Sequence, residues 1–308
     1  MYRIRNYNRT DLEKLRDLYV RAGENSLWGP VAGGRQFDML LQRPQSSPEA
    51  DLFIAESKGE RLVAYADVRR EVRIGRVVVD IYVHPRFRRL GIGRRLVEGM
   101  CERASALGAQ NVHVLVGDSN TGGLEFLDKA GFEPVRRYLV LAREEGRERR
   151  NESGVDFGNL VLGHFQGGDE QRLADIQNLC FEGSWGFCPN TADEIGFYLA
   201  MTMTRIQDVM VLRDDAEVVG YLWPQILERN KGGGGAHGWI HMVGVRPDYR
   251  GQGLGKKLVQ TGLQSLRERG VQDVELTVDE ENRQAVTLYA SLGFSTKDTK
   301  LWYELPLP

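Results

Sequence analysis

Residues 83–132 of this 308-residue chain align with residues 245–294 at a constant offset of 162, and fourteen of the fifty ungapped pairs are identical. Ordinary composition gives about three. Pro85 pairs with Pro247, Arg88 with Arg250, Gly91 with Gly253, Gly93 with Gly255, Asn120 with Asn282, and Gly131-Phe132 with Gly293-Phe294. An offset this long is not the 20 to 50 residues of a solenoid unit, so the chain holds two copies of a domain of about 150 residues. Upstream, Leu62-Val63-Ala64-Tyr65 lies over Val218-Val219-Gly220-Tyr221 at an offset of 156. Six residues therefore enter the second copy before Val245, and Lys231-Gly232-Gly233-Gly234-Gly235 is the obvious place. Glu144 to Gly154 is charged and lacks apolar periodicity, which reads as a linker between domains at 1–145 and 155–308.

Composition removes several function classes. Forty-one Lys plus Arg against forty-three Asp plus Glu leave a net charge of −2, so no bulk field favours nucleic acid or an anionic membrane. No apolar run approaches the roughly 20 residues of a bilayer span, and no signal-like segment follows Met1. Three irregularly spaced cysteines, Cys101, Cys180 and Cys188, fit a reducing compartment, and the expectation is a cytoplasmic monomer or homodimer.

Each copy reads as the same series of elements. In the first, a strand at Tyr2 to Tyr7 precedes a helix with Leu12, Leu15, Leu18 and Tyr19 on one stripe, capped by Thr10 or Asp11. Leu52 to Glu56, Leu62 to Arg69 and Arg76 to Val83 predict an antiparallel meander. Gly91 to Leu107 predicts a helix closed by Gly108, followed by a strand at Val112 to Val116, a short helix from Gly122 to Ala130 and a strand from Phe132 to Ala142. Trp28 to Arg35 reads as a loop. The second copy repeats the order from Leu160 to Leu305. The fold class is α/β, an α+β mixed sheet with helices on both faces.

The informative chemistry lies where the fourth strand of each copy meets the long helix. Arg250, Gly251, Gln252, Gly253, Leu254, Gly255 and Lys256 form a glycine-rich turn that opens a helix. Glycines let a backbone approach an anion closely, and the free N–H groups of the helix start make a pyrophosphate cradle. Such turns also arise for packing alone. The first copy repeats the pattern with Arg88, Arg89, Leu90, Gly91, Ile92 and Gly93, which favours the cradle. There is no Gly-Lys-Ser/Thr of a P-loop, and a meander in place of a parallel crossover precedes the turn.

With the downstream Asn282, Ala285, Tyr289, Gly293 and Phe294, these turns resemble the GNAT (Gcn5-related) N-acetyltransferases, and the resemblance covers both halves of the chain. It implies tandem acyl-CoA N-acyltransferase domains that bind acetyl-CoA on the turn amides and Asn282. The pantetheine would run along Val243, Gly244 and Val245 in the second copy and along Ile81, Tyr82 and Val83 in the first. The implied activity is transfer of an acetyl group to a small-molecule primary amine by direct attack. Tandem members of the family that acetylate an amino-sugar thiol are one variant, and a non-catalytic CoA-binding regulatory protein is another reading.

The resemblance assigns the backbone N–H of Val243 to the oxyanion and Tyr289 to protonation of the leaving thiolate. On residue type alone Tyr289 is as readily a core residue. Its partner in the first copy is Leu127, which carries no proton, so the second copy is expected to catalyse and the first only to bind. Many family members carry a glutamate base six residues before the last valine of the fourth strand; that position is Trp239 here and Val77 in the first copy. Strand alternation puts Trp239, His241 and Val243 on one face, making His241 one candidate base and Glu275, on the next strand, the other. His237 and His241 stand about 13 Å apart on a strand, too far to share a zinc, and no metal is expected. Trp185, Phe187 and Tyr198 either shape an acceptor pocket or pack as core.

Overall fold

The computed structural model describes residues 2–22, 34–59, 61–144, 155–227 and 236–308. The glycine run at 231–235, the linker at 145–154 and the 28–33 part of the expected loop lie outside them. Two compact units emerge, Met1–Arg137 with Lys300–Pro308, and Tyr138–Thr299.

The first unit contains strands β1 (Tyr2–Asn6), β2 (Leu52–Ser57), β3 (Leu62–Glu71), β4 (Arg76–Val83) and β5 (Asn111–Gly117). Its helices are α1 (Leu12–Ala22), α2 (Gly34–Leu41), α3 (Pro48–Asp51), α4 (Ile92–Ala106) and α5 (Thr121–Lys129). Gly34 and Arg35, expected in a loop, open α2, and the cap before α1 is Asn8, whose side chain accepts from the Thr10 N–H. β1 to β4 form the expected antiparallel meander, and β5 joins β4 in parallel. Leu96, Val97, Met100 and Ala104 recur at helical spacing on α4 and bury that face against the sheet.

The second unit repeats the plan with β7 (Val161–His164), β8 (Met210–Asp214), β9 (Glu217–Leu227), β10 (His237–Val245) and β11 (Asp273–Asp279). Its helices are α6 (Glu170–Phe181), α7 (Ala192–Met201), α8 (Leu254–Glu268) and α9 (Arg283–Ser291). Leu258, Val259, Leu263 and Leu266 of α8, which lies on β9 and β10, share one buried cluster with Leu222, Ile240, Val274, Leu276 and Val278, each buried side chain contributing about 1.5–3 kcal/mol. None of the described helices is long and apolar enough to cross a membrane.

The sixth strand of each unit comes from the other half of the sequence. β6 (Glu133–Glu144) follows α5, yet its residues Tyr138 to Glu144 pair antiparallel with β11 of the second unit. β12 (Ser295–Pro306) follows α9, yet Lys300 to Pro306 pair antiparallel with β5 of the first. A 12-residue strand extends about 40 Å, far beyond the seven-residue strand it pairs with, so each is long enough to begin in one unit and end in the other. The exchanged segments are core: Tyr303 is buried in the first unit, Leu139 and Leu141 in the second. The two units, as their contacts define them, thus exchange their sixth strands.

Deleting Lys300 to Pro308 from the whole chain is expected to strip β5 of one hydrogen-bonded edge. Amide hydrogen exchange should accelerate by orders of magnitude at Asn111–Gly117 while the β8–β9–β10 amides keep their protection. Unchanged protection in β5 would show that β12 does not complete that sheet.

Candidate functional site

The site in the second unit begins where β10 runs out. A single 3-10 turn at Pro247–Tyr249 delivers the chain to Arg250, after which Gly251 and Gly253 adopt φ of 80° and 76°. Only glycine takes these angles without strain. Gly253 is the N-cap of α8 and supplies no side-chain cap, so the first amides of the helix, Leu254, Gly255 and Lys256, face outward without a side-chain acceptor. A Cβ at Gly251 or Gly253 would meet nothing within 4 Å. Neighbouring helices are finished differently: Asn282 Oδ1 accepts from the Ala285 N–H at 3.1 Å, and Thr191 caps α7. The first unit repeats the contrast, with Gly91 (φ 79°) leaving α4 uncapped and Asn120 capping α5. The two glycine turns thus share a helix start without a side-chain cap, in contrast to α5, α7 and α9.

Arg250 shapes this turn. Its Nε donates to the Val245 carbonyl at 3.1 Å and its Nη2 to the Cys180 carbonyl at 2.6 Å, binding strand, turn and the end of α6 together. Arg88 makes the equivalent Nε bond to the Val83 carbonyl at 3.1 Å.

Beside each turn, two parallel strands separate. β10 pairs with β11 only from His237 to Trp239, and β4 with β5 only from Arg76 to Val78. Beyond those residues the backbone edges of Val243, Gly244 and Val245, and of Ile81, Tyr82 and Val83, have no partner strand on that side among the described residues, although the opposite edge stays in the ladder with β9 or β3. An unpaired strand edge is a template for an extended ligand with amide groups.

The two copies differ at the bend. β10 carries a bulge between Ile240 and Met242, whereas β4 pairs with β3 without a break. One of the six additional residues of the second copy is therefore spent in the strand itself. The bulge overturns the expected alternation: Ile240, Val243 and Val245 all pack toward α8, while His241 and Met242 turn to the α6–α7 face, so Val243 does not share a face with His241. The His241 ring lies 4.7 Å from that of Trp223, and burial pulls its pKa down to about 4, leaving a neutral imidazole at physiological pH. Gly244 sits flat against Tyr221 and Cys180. Tyr289, on α9, is buried beside Phe294, and burial pushes its pKa up to about 12.

Glu275 stands at the closed end of the strand pair, opposite Trp239. Lys297 Nζ holds its carboxylate at 2.5 Å and His237 Nε2 lies 3.5 Å away, an engagement that fixes it far along the strand from the turn. Across the opening runs the α6–α7 loop, where left-handed Gly183 and Gly186 flank Ser184 and Trp185. Trp185 meets Tyr138 edge-on at 6.2 Å, and Phe187 stacks on Phe181 at 5.3 Å. Tyr198 packs beside the α6–α7 core instead.

In the first unit the corresponding region is filled from within. Arg43 and Asp67, both buried, form a two-pronged ion pair at 2.6 and 3.0 Å, and Arg43 also donates to the Leu40 and Val68 carbonyls. Leu127 is buried where the second unit has Tyr289. The sequence reading missed this ion pair; a lone aspartate within the apolar Val63 to Val68 run was its only trace. It also missed the bulge, which left no local signal.

The sequence profile described as the acetyltransferase (GNAT) family matches residues 12–132 and again 170–294. Among curated proteins, the mycothiol acetyltransferase of Saccharomonospora viridis is 30% identical over 284 residues, spanning 85% of this chain and 89% of that protein. That of Stackebrandtia nassauensis is 29% identical over 276 residues, spanning 85% of each. Among solved structures, a GCN5-related N-acetyltransferase from Sphaerobacter thermophilus superposes with a TM-score of 0.70 at 25% identity, over 99% of this chain and 96% of that one. A tandem GNAT protein from the clavulanic acid biosynthesis pathway has a TM-score of 0.70 at 17% identity, over 100% and 99%, and shares the fold.

Gly244→Ala is expected to cost about 1–3 kcal/mol, because its Cβ would stand 2.5 Å from Tyr221 Cε1 and 2.9 Å from the Cys180 Cβ. Urea denaturation reads the loss directly, and a neutral result would mean that Tyr221 has room to move.

Proposed function

Since the chain belongs to the GNAT acetyltransferase family and carries its domain twice, we propose that it moves an acetyl group from acetyl-CoA to a small-molecule primary amine, with the chemistry in the second unit. One observation carries the choice of unit: both keep an uncapped glycine turn beside a separated strand pair, but only the second places a proton donor, Tyr289, where the first has Leu127.

The amides of Gly251 to Lys256 would hold the pyrophosphate, and the free edge of Val243, Gly244 and Val245 the amide-bearing arm; Arg88 to Gly93 and Ile81 to Val83 offer the same in the first unit. Arg250 and Asn282 serve by shaping the turn and capping α9. Bound acetyl-CoA supplies an acyl carbon activated as a thioester. The Val243 N–H donates to the carbonyl oxygen as charge develops there. Tyr289, kept protonated by its burial, gives its proton to the departing thiolate and regains one from solvent, to which the attacking nitrogen releases its own proton as the amide forms. His241 is too weakly basic to deprotonate an ammonium; it accepts a hydrogen bond from an amine that arrives as the free base and orients its lone pair. With an amine pKa near 10, that form is about one part in a thousand at neutral pH, equivalent to roughly 4 kcal/mol. Glu275, held by Lys297, is left a structural part.

A second reading takes the acceptor to be the amino-sugar thiol that the name of the curated relatives points to. Trp239, at the position where many family members have a glutamate base, counts against that assignment.

Three outcomes test the proposal. Isothermal titration with acetyl-CoA is expected to show two equivalents, of which Gly253→Glu and Gly91→Glu each remove one; no heat with wild type would end the acetyltransferase reading. Tyr289→Phe is expected to lower kcat by about 10²-fold while the KM for acetyl-CoA holds. For pH, His241 protonates only near 4 and Tyr289 deprotonates only near 12, so kcat/KM should rise toward the pKa of the amine with no limb from either group between pH 6 and 10. An inflection near 6.5 would mean that His241 titrates as an exposed base.

A further inference from the structure

The surfaces around the two glycine turns carry opposite charge at three aligned positions. The β2–β3 and β8–β9 hairpins match at an offset of 156, with left-handed Gly59 and Asp215 at the same place, and the turns match at 162. In the second unit the acids of the hairpin tie down the turn. Arg246 takes Asp248 with two bonds of 2.7 Å and also bonds Glu217. Its guanidinium lies 4.9 Å from the Tyr249 ring, and Tyr249 Oη donates to Asp214 at 2.7 Å. The first unit puts Lys58, Arg61, Arg86 and Phe87 where these are Asp214, Glu217, Asp248 and Tyr249. Residues 58–61 and 84–95 hold seven Lys or Arg and one Glu, a charge of +6, whereas 214–217 and 246–257 hold four of each sign, a charge of zero. Lys58, Arg61, Arg86 and Arg88 are exposed, and no carboxylate pairs with Lys58, Arg61 or Arg86 among the described residues. They form one patch with the cradle. Burial lowers the pKa of His84, and Arg21, Arg86, Arg61 and Arg88 all add to the effect. Arg88 and Arg21 also act on Tyr82 of the free β4 edge, whose pKa burial raises.

Six charges added around one of two similar cradles call for an anion that the other cradle does not meet. Acetyl-CoA is the ligand read for both turns, so it does not account for the difference, and Lys58 and Arg61 sit on a hairpin outside the turn. A polynucleotide supplies anions but no amides for the edge at Ile81, Tyr82 and Val83. We propose that the first unit docks an acidic protein that presents a phosphopantetheine arm. The patch meets the acidic body, the turn amides take the phosphate, and the free edge takes the amides of the arm. The inference rests on the reading of the first turn as a phosphate cradle. Exposed like charges repel one another until an opposite surface covers them, and the same field speeds the encounter with an acidic partner. With Leu127 in place of a proton donor, the first unit holds the arm without a transfer step.

The test uses the whole chain and an acidic bacterial acyl carrier protein, labelled on its body, in the holo form and in the apo form that lacks the arm. Fluorescence anisotropy reads binding. The triple variant Lys58→Asp, Arg61→Glu, Arg86→Asp writes the second unit's charges into the first, and Gly91→Glu blocks the turn. The holo carrier is expected to bind, the apo carrier about tenfold more weakly, and the triple variant to weaken holo binding by about tenfold. Holo binding should also fall steeply from about 50 to 300 mM salt. Gly91→Glu is expected to reduce the holo carrier to the apo level. On the triple variant acetyl-CoA should still titrate at two equivalents, with turnover and thermal midpoint unchanged. Absent holo binding, equal binding of both forms, indifference to the triple variant, or tighter binding of a single-stranded RNA would overturn the inference. Two acetyl-CoA equivalents with no carrier binding would strike this inference alone, whereas a single equivalent untouched by Gly91→Glu would remove the cradle reading with it.

Discussion

Everything the second unit offers a ligand depends on β10 leaving β11 after three paired residues while staying bonded to β9 along its length. A parallel strand that continued in the ladder would spend its amides on its neighbour. By separating, it keeps a backbone edge beside the open end of α8, so strand amides and helix amides border the same opening. Arg250 holds the corner by reaching both the strand end and the last carbonyl region of α6. The bulge at His241 then turns two consecutive side chains onto the α6–α7 face, a change that a regular strand cannot make.

The first unit holds the same frame with different residues in it. Its turn and strand separation persist, but the bulge is missing, the tyrosine is a leucine, and a buried arginine–aspartate pair occupies the layer under α2. Such a pair is expensive to assemble and expensive to break. Burial works against the charge of Arg43, and Asp67 with its hydrogen bonds more than offsets it, so the guanidinium stays protonated. The polar network is closed on itself, whereas that of the second unit is open. Divergence between the copies therefore lies in the β10 bulge and in the side chains of this layer, while the glycine turn and the strand separation are kept.

The elements themselves were legible because their signals are local. Alternating Glu275, Thr277 and Asp279 against Val274, Leu276 and Val278, the stripe on α8 and the glycines after the long helices each act over a few residues. The cradle was legible for the same reason, since a positive φ at Gly253 and Gly91 is a backbone demand written in one residue type. Three features were not. α2 is an eight-residue helix whose start falls within an apparent loop, the side of Val243 depends on a bulge, and the engagement of Glu275 depends on Lys297, twenty-two residues away.

By itself the sequence determined that the chain holds one α/β domain twice, where its glycine turns lie, and that only one copy has a tyrosine after the second turn. These follow from identities at fixed offsets and from short-range steric rules. Only the tertiary structure decided which strand completes which sheet, because backbone hydrogen bonds carry no sequence address and pairing is a property of neighbours in space. It also decided which polar groups are satisfied. Tyr65 and Tyr221 are the same residue at matching positions, yet the first donates to Asp80 and the second to nothing in the described chain, a difference made by a residue on the adjacent strand.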